Sequence, residues 1–250
     1  MRYYHSWSGG KDSTAAVILD HIHHLPPSTI IFNEVMFDKR RNISGELPEH
    51  IDFIKNKAIP LFQKWEYNIK IIHSDKDYID LFHTLITQSK IADRNGKMRG
   101  FPLGGKCMIN RDIKTKAIHK FLKNINEDFI QYVGIAIDEP KRLERLNGTN
   151  KISLLAEYGY TEQMAYDLCK QYGLLSPIYE FTKRGGCWFC PNQSYMEMAY
   201  LKTHYPQLWT ELERLAAENN LVSQGFKYSL TFEEVNKKVD EYISKNKEMK

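Results

Sequence analysis

The first 140 residues alternate short β-like runs with helix-like runs, and this alternation constrains the fold more than any other feature of the chain. Residues 2–7, the Ile-, Val- and Phe-rich run 29–37, residues 68–73 and residues 129–137 read as strands. Between them, residues 13–24 read as a helix with Val17, Ile18 and Ile22 on one side, ended by Pro26-Pro27. Residues 48–62 form a second helical pattern with Ile51 and Ile54 one turn apart. Asp77 is placed to cap a third that runs to Thr87. Residues 112–123 form a fourth, with Ile113, Ala117 and Phe121 at four-residue steps. Strands alternating with helices pack as a parallel sheet covered on both faces, so the expected fold class is α/β with a doubly wound parallel sheet. Such sheets bind ligands outside the carboxyl ends of their strands. Residues 8–14, 38 and 138–145 are therefore candidate site positions.

The last 100 residues have a different pattern. Residues 161–172 read as a helix with Met164 and Leu168 inward, ended by Gly173. A loop carrying Cys187 and Cys190 follows. Pro206 then opens a helix with Leu208, Leu212 and Leu215 on one face. Thr231 and Glu234 have capping-box spacing before Val235, Val239 and Tyr242. The expected organisation is a nucleotide-type α/β domain over residues 1–150 and a helical, cysteine-bearing appendage over 151–250, with the boundary in Asn147-Gly148-Thr149-Asn150.

A net charge of +4 permits an anionic partner without demanding one. Mean hydropathy is −0.52, and no apolar run approaches the roughly 18 residues of a membrane span. The first ten residues lack the apolar core of a signal peptide. The expected location is the cytoplasm, a reducing compartment. There, a Cys-x-x-Cys pair points to metal binding or catalysis rather than a structural disulfide.

Ser8-Gly9-Gly10-Lys11-Asp12-Ser13-Thr14 lies between the first strand and the first helix. Two glycines let the backbone approach a ligand, and successive N–H groups at a helix start make an anion site. Ser8, Ser13 and Thr14 carry hydroxyls, and Lys11 supplies a point charge for phosphate. The loop is not a Walker A motif: His5 stands where the first glycine belongs, and Asp12 where Ser or Thr belongs. It resembles instead the S-G-G-x-D-S-[ST] signature of the PP-loop ATP pyrophosphatase superfamily. The resemblance implies a Rossmann-like fold that holds the pyrophosphate of ATP or a related adenine nucleotide. It also implies cleavage of ATP to AMP and pyrophosphate. The phosphate-binding set would then be Ser8, Gly9, Gly10, Lys11, Asp12, Ser13 and Thr14, with Lys11, Asp12 and Ser13 as candidate catalytic residues. Mg²⁺ is expected with the nucleotide, Asp12 or Asp138 being candidate ligands.

Two further segments resemble the phosphoadenosine phosphosulfate (PAPS) reductase-like branch of that superfamily. They are Asp38 with Glu46-Leu47-Pro48-Glu49-His50, and Gly134-Ile135-Ala136-Ile137-Asp138-Glu139-Pro140-Lys141-Arg142. The resemblance places Asp38 near the ribose or base. It places Gly134 and Asp138 at the nucleotide, and Lys141, Arg142 or Arg145 near phosphate. Read as a sequence alone, those basic residues are equally the solvated start of a helix.

Cys187-Trp188-Phe189-Cys190-Pro191 follows Gly185-Gly186. Two thiols so spaced at a turn can ligate one metal or cluster, or form a dithiol redox pair. Cys107 and Cys169 are the other two cysteines. Iron–sulfur members of the PAPS reductase family carry a Cys-Cys pair and a C-x-x-C, and the 80-residue spacing from Cys107 to Cys187 is similar to theirs. Here Met108 replaces the second cysteine of the first pair. Cys169 is either the missing ligand or a small buried hydrophobe. Four thiolates suit structural Zn²⁺ or a [4Fe–4S] cluster. Three suit a cluster with one open iron able to hold an extra sulfur.

Assimilatory sulfonucleotide reductases use a cysteine near the C-terminus, and this chain has none after Cys190. The expected function is thus an ATP-dependent adenylating or sulfur-transferring enzyme, not a standard PAPS reductase. Its acceptor could be a nucleic acid or a nucleotide, with a sulfur donor or partner protein. Lys39-Arg40-Arg41, Lys97 with Arg99, and Lys183-Arg184 are candidate phosphate-tracking groups. Two alternatives remain: a sulfonucleotide reductase using an external thiol, and a non-enzymatic nucleotide-sensing subunit with structural zinc.

Overall fold

The first strand, Arg2–Trp7 (β1), forms over its expected span and lies at the centre of the main sheet. The computed structural model of the protein describes residues 1–101, 107–183, 185–227 and 230–247. Ser28–Asn33 (β2), Asn68–Ile72 (β3), Phe129–Tyr132 (β4) and Lys151–Ile152 (β5) complete the sheet. Its order is β3-β2-β1-β4-β5, and every pairing is parallel. The chain is therefore an α/β protein with a Rossmann-like sheet. Strand order reverses across β1 and β4. This topological switch point opens a crevice beyond their carboxyl ends.

The two-residue period of the strands divides the core. Tyr3, Trp7, Ile30 and Phe32 pack on one face with helix α1 (Lys11–Ile22) and helix α2 (Glu162–Gln171). Tyr4 and Ile31 turn to the other face, against Leu122 and Phe121 of the helix Lys116–Lys123. Residues 13–20 of α1 are all buried, so this helix is the spine of the covered face.

One buried polar knot ties β1, α1 and β2 together. Asp20, 2% exposed, meets His5 Nε2 at 2.6 Å and accepts from Ser28 Oγ at 2.7 Å. The Tyr67 hydroxyl also bonds to it; burial first, and then the Asp20 charge, raise the Tyr67 pKa.

The chain divides into two compact units. One is formed by residues 1–35, 46–74 and 114–185, and the other by residues 36–45, 75–113 and 186–250. The division does not follow the boundary expected near residue 150. Residues 151–185 belong with the sheet, because Lys151–Ile152 adds a fifth strand and α2 packs on α1. Residues 36–45 and 75–113 join the C-terminal segment instead.

The second unit has an aromatic core. Tyr78 stacks on Phe189 at 4.2 Å and on Phe37 at 5.3 Å. Phe82, Phe101, Phe226 and Phe232 continue the chain of ring contacts to Trp209. Helices Tyr195–His204 (α3), Pro206–Ala216 (α4) and Phe232–Lys247 (α5) pack together in this unit. The expected Thr231–Glu234 capping box forms, with Thr231 N donating to Glu234 and Glu234 N to Thr231 Oγ1.

Several elements differ from their sequence-based expectation. The run 29–37 is two strands, since Met36–Asp38 leaves the sheet to pair with Ile43–Ser44. The strand at 129 stops at Tyr132. The Asp77-capped helix ends at Phe82, and Leu85 bridges to Met98 instead. Met164 points outward at 43% exposure, because Ala165, Leu168 and Cys169 form the inner face of α2. The last three residues, 248–250, lie outside the described residues.

Asp20→Ala leaves several buried donors without an acceptor. It is expected to lower unfolding free energy by about 3–5 kcal/mol. Urea denaturation of the two proteins checks this.

Candidate nucleotide and thiol sites

The glycine loop leaves β1 at the switch point and runs directly into α1. Its own side chains brace it. Ser13 Oγ accepts from Ser8 N at 3.1 Å, donates to Gly10 O at 3.0 Å and lies 3.1 Å from Ser8 Oγ. Below the loop, Trp7 Nε1 donates to Thr14 Oγ1 at 2.9 Å. Thr14 is thus fully buried and braces the loop from within. Gly10 is the N-cap of α1 and makes no side-chain cap bond of its own. That leaves the first turn suited to an anion.

Two glycines are required by geometry. Gly9 has φ +76°, and a Cβ there would stand 2.5 Å from Ile54 Cδ1. Gly134 follows β4, and a Cβ there would stand 2.4 Å from Ser13 N and 2.6 Å from the Asp12 carbonyl carbon. Gly134 therefore lies against the backbone of the loop–helix junction.

The structure adds residues that the sequence did not single out. Tyr179 accepts from Lys11 N at 2.8 Å, and burial pushes its pKa up to about 12. His50, in a segment read only as a resemblance, is 1% exposed and bonds Ser176 Oγ through Nδ1 at 2.7 Å. The His50 ring also bonds the Ser8 main chain, and burial lowers its pKa. No local pattern marks Ser176 or Tyr179; tertiary packing alone brings them to the loop.

Charge around Lys11 is dense. Lys11 Nζ lies 2.6 Å from Asp12 Oδ1 and 3.4 Å from Glu162 Oε2. Burial pushes the Asp12 carboxyl above its ordinary value; Lys11 opposes the push, and Glu162 and Glu139 add to it. Asp138 accepts from Glu162 N at 3.1 Å, at the start of α2. Arg142 is ion-paired with Glu139, while Lys141 and Arg145 are exposed. Both expected magnesium ligands, Asp12 and Asp138, thus engage protein groups.

Asp38 lies in the second unit, where its carboxylate accepts from Arg40 N, Arg41 N and Arg41 Nε. Burial would raise its pKa, but the Arg41 contacts outweigh burial and hold it below the ordinary value. Arg41 also pairs with both oxygens of Glu211, at 2.6 and 2.7 Å. These bonds make Asp38 a turn-forming and Arg41-binding residue. Lys39 Nζ donates to Asp75 O, Lys97 pairs with Asp93 at 2.8 Å, and Arg99 stands 3.9 Å from Asp112. Of the expected basic groups, Lys183 is exposed and Arg184 lies outside the described residues.

Cys107, Cys187 and Cys190 lie in the second unit and Cys169 in the first. Cys169 is fully buried in α2, and its Sγ donates to Lys11 O at 3.2 Å. Burial first, with Asp12 adding, pushes its thiol up to about 12. A protonated thiol engaged with the loop backbone behaves as a core residue, which favours the second of its two sequence readings.

The C-x-x-C loop is anchored by its middle residues. Trp188 and Phe189 are buried at 0% and 1% exposure. Trp188 donates from N to Gly45 O and from Nε1 to Ser44 O. Cys190 N donates to Cys187 O at 3.0 Å, closing the turn. Lys227 Nζ donates to the carbonyls of Pro191 and Gln193 just beyond it. Burial first, with Cys187 adding, raises the Tyr78 hydroxyl well above its ordinary value. That hydroxyl is buried with no hydrogen-bond partner among the described residues.

Among the described residues, no three His, Cys, Asp or Glu side chains converge to hold a single metal ion. A tetrahedral Zn²⁺ needs sulfurs about 3.8 Å apart, given Zn–S bonds of about 2.3 Å. A cubane cluster several ångströms across spreads its thiolates more widely. The run 102–106, just before Cys107, lies outside the described residues.

No protein-family model matches the chain, and no curated protein does. Among solved structures, the U34-tRNA thiolase NcsA from Methanococcus maripaludis with its [4Fe-4S] cluster is similar at 17% identity and a TM-score of 0.45. The match covers 88% of this chain and 73% of that one. A likeness at that level carries no functional argument. No helix among the described residues is long and apolar enough to cross a membrane.

Gly134→Ala forces a methyl into the loop–helix backbone and is expected to cost about 1–3 kcal/mol of stability. Gly186→Ala, where a Cβ meets nothing within 4 Å, is the control. Parallel urea unfolding curves should separate the two.

Proposed function

We propose that the chain is an ATP-dependent adenylating or sulfur-transferring enzyme that cleaves ATP to AMP and pyrophosphate. The carrying observation is the Ser8–Thr14 loop. It sits at the switch point of a parallel sheet, and its helix starts at a glycine N-cap, which has no side chain of its own to close the first turn. The S-G-G-x-D-S-[ST] pattern supports an adenine nucleotide as the ligand.

The phosphates would bind at Gly9, Gly10 and the first turn of α1, with the Ser8 and Ser13 hydroxyls. Lys11 would exchange its Asp12 and Glu162 partners for phosphate oxygens. Stabilising charge on the transferred phosphoryl group would be the main catalytic contribution. Gly134 would hold the β4 end against the loop. Mg²⁺ would arrive with the nucleotide, with Asp12 the better-placed of the two expected carboxylates because it lies in the loop itself. Asp138 and Arg142 would shape the rim of the crevice.

Cys107, Cys187 and Cys190 would hold a [4Fe–4S] cluster, Cys169 being engaged elsewhere. When bound, such a cluster would supply an open iron able to hold sulfur. The acceptor class that fits the sequence reading is a nucleic acid or nucleotide. Arg41 is a poor phosphate contact, because two carboxylates already neutralise it.

Pyrophosphate release from ATP by the anaerobically purified chain tests the nucleotide half. Lys11→Ala should reduce it by at least about 100-fold, as expected for loss of a charge stabilising the transition state. Unaltered kinetics in that variant would overturn the loop assignment. ATP binding with no pyrophosphate release would favour a sensing subunit, and sulfite release from a sulfonucleotide would favour a reductase.

Iron and acid-labile sulfide content tests the thiol half. Wild type and Cys169→Ser should each hold about four of both per chain. Serine at Cys107, Cys187 or Cys190 should lower that content. Equal loss in Cys169→Ser would return Cys169 to the ligand set.

A further inference from the structure

We propose that the Tyr179 hydroxyl donates a hydrogen bond to a phosphate oxygen of the nucleotide, as a contact residue that the Ser8–Thr14 motif does not contain. This rests on the reading of that loop as an adenine-nucleotide site.

Tyr179 sits in the short turn Pro177–Glu180, and packing fixes where its ring lies. At the start of the turn, Ser176 Oγ bonds His50 Nδ1 at 2.7 Å, and Tyr179 N donates to Ser176 O at 3.2 Å. Ile178 is buried, and the Tyr179 ring meets Tyr166 of α2 edge-on, 6.3 Å between centroids. The hydroxyl is thereby delivered to the first turn of α1, where it accepts from Lys11 N at 2.8 Å.

That bond decides what the hydroxyl has left to give. A phenol holds one proton, and an oxygen that accepts keeps its proton for another partner. Among the described residues nothing accepts that proton. Burial pushes the Tyr179 pKa up to about 12, so the group stays a donor at neutral pH. Accepting from a peptide N–H also polarises the O–H and strengthens its donation to a negatively charged oxygen.

The unused donor borders an opening beside Gly10. Gly10 has φ −74° and ψ 158°, an extended conformation that any residue adopts, so its backbone does not demand glycine. What the glycine keeps is room. A Cβ there would stand 3.4 Å from the Tyr179 hydroxyl and 3.4 Å from Ser8 Oγ. Gly185 bounds the same space: a Cβ on it would stand 3.8 Å from the hydroxyl and 3.9 Å from Gly10 Cα. A phosphate oxygen that enters beside Gly10 therefore meets two hydroxyls as well as the N–H groups of the helix start.

The test measures calorimetric binding to full-length wild type, Tyr179→Phe and Lys11→Ala. The probes are pyrophosphate, adenosine and the α,β-methylene analogue of ATP, which resists cleavage between those phosphates. Loss of one hydrogen bond to a charged oxygen should weaken binding of the analogue and of pyrophosphate by about 10- to 100-fold in Tyr179→Phe. Adenosine binding should not change. Phenylalanine also leaves Lys11 N without its acceptor, so a second protein carries a ring-fluorinated tyrosine at 179 whose phenol ionises within the assay range. Ionisation improves acceptance from Lys11 N but removes the donor and sets a negative charge beside the phosphate. Affinity of this protein for the analogue should fall by about 10-fold or more as that phenol ionises, relative to wild type at the same pH.

A Tyr179→Phe protein that binds the analogue as wild type does would overturn the inference. Tighter binding would overturn it too, by showing that the hydroxyl occupies the anion's place. So would a fluorinated protein whose affinity stays level or rises with pH, since the oxygen would then only brace Lys11 N. In each case, loss of binding in Lys11→Ala would leave the nucleotide reading standing. Wild type that binds neither the analogue nor pyrophosphate would overturn both. If Tyr179→Phe fails to fold, the fluorinated protein, which keeps the oxygen, decides alone.

Discussion

The close approach of Gly134 to the backbone of Asp12 and Ser13 is the contact on which the glycine-loop end of the sheet depends. It joins the carboxyl ends of β1 and β4, the two strands at which sheet order reverses. Any side chain at 134 would push α1 away from the crevice. The loop would then lose the alignment of Ser8, Gly10 and Ser13 that holds it closed. His50 and Tyr179 brace the same loop from other segments, so its geometry is set by packing as well as by its own glycines.

Charge at that end is balanced for a chain without nucleotide. Lys11 lies between Asp12 and Glu162, and burial raises the Asp12 carboxyl. An incoming polyphosphate would compete with carboxylates for one ammonium group, which is how a pre-organised site avoids leaving a half-buried charge unpaired. Arg41 shows the same economy in the second unit, where Asp38 and Glu211 hold its guanidinium in a fixed plane.

The second unit is organised by rings. Trp188 and Phe189 place the two cysteines of the C-x-x-C by burying what lies between them. The Trp188 bonds to Gly45 and Ser44 fasten that loop to the hairpin after Met36–Asp38. Tyr78 is the one member of this core whose polar atom lacks a partner among the described residues. The thiol loop and the orphaned hydroxyl therefore arise from the same packing.

Much of this was legible from sequence because it is local. The two-residue period placed β1 to the residue, the glycines and Lys11 marked the loop, and Thr231 with Glu234 marked a cap. Periodicity failed where helices and strands were cut by long-range contacts, as at 29–37 and at Met164. The resemblance that places Asp38 near a ribose or base carries no information about Arg41, whose guanidinium joins the Asp38 carboxylate to Glu211. By itself, the sequence determined a parallel α/β sheet, a glycine loop leading from its first strand into its first helix, and a spacing of thiols, since each depends on neighbours a few residues away. Tertiary structure decided which carboxylates are engaged, that Cys169 bonds the loop backbone, and that the Tyr78 hydroxyl is buried without a partner among the described residues, because burial and partnership depend on residues that meet only when distant segments pack.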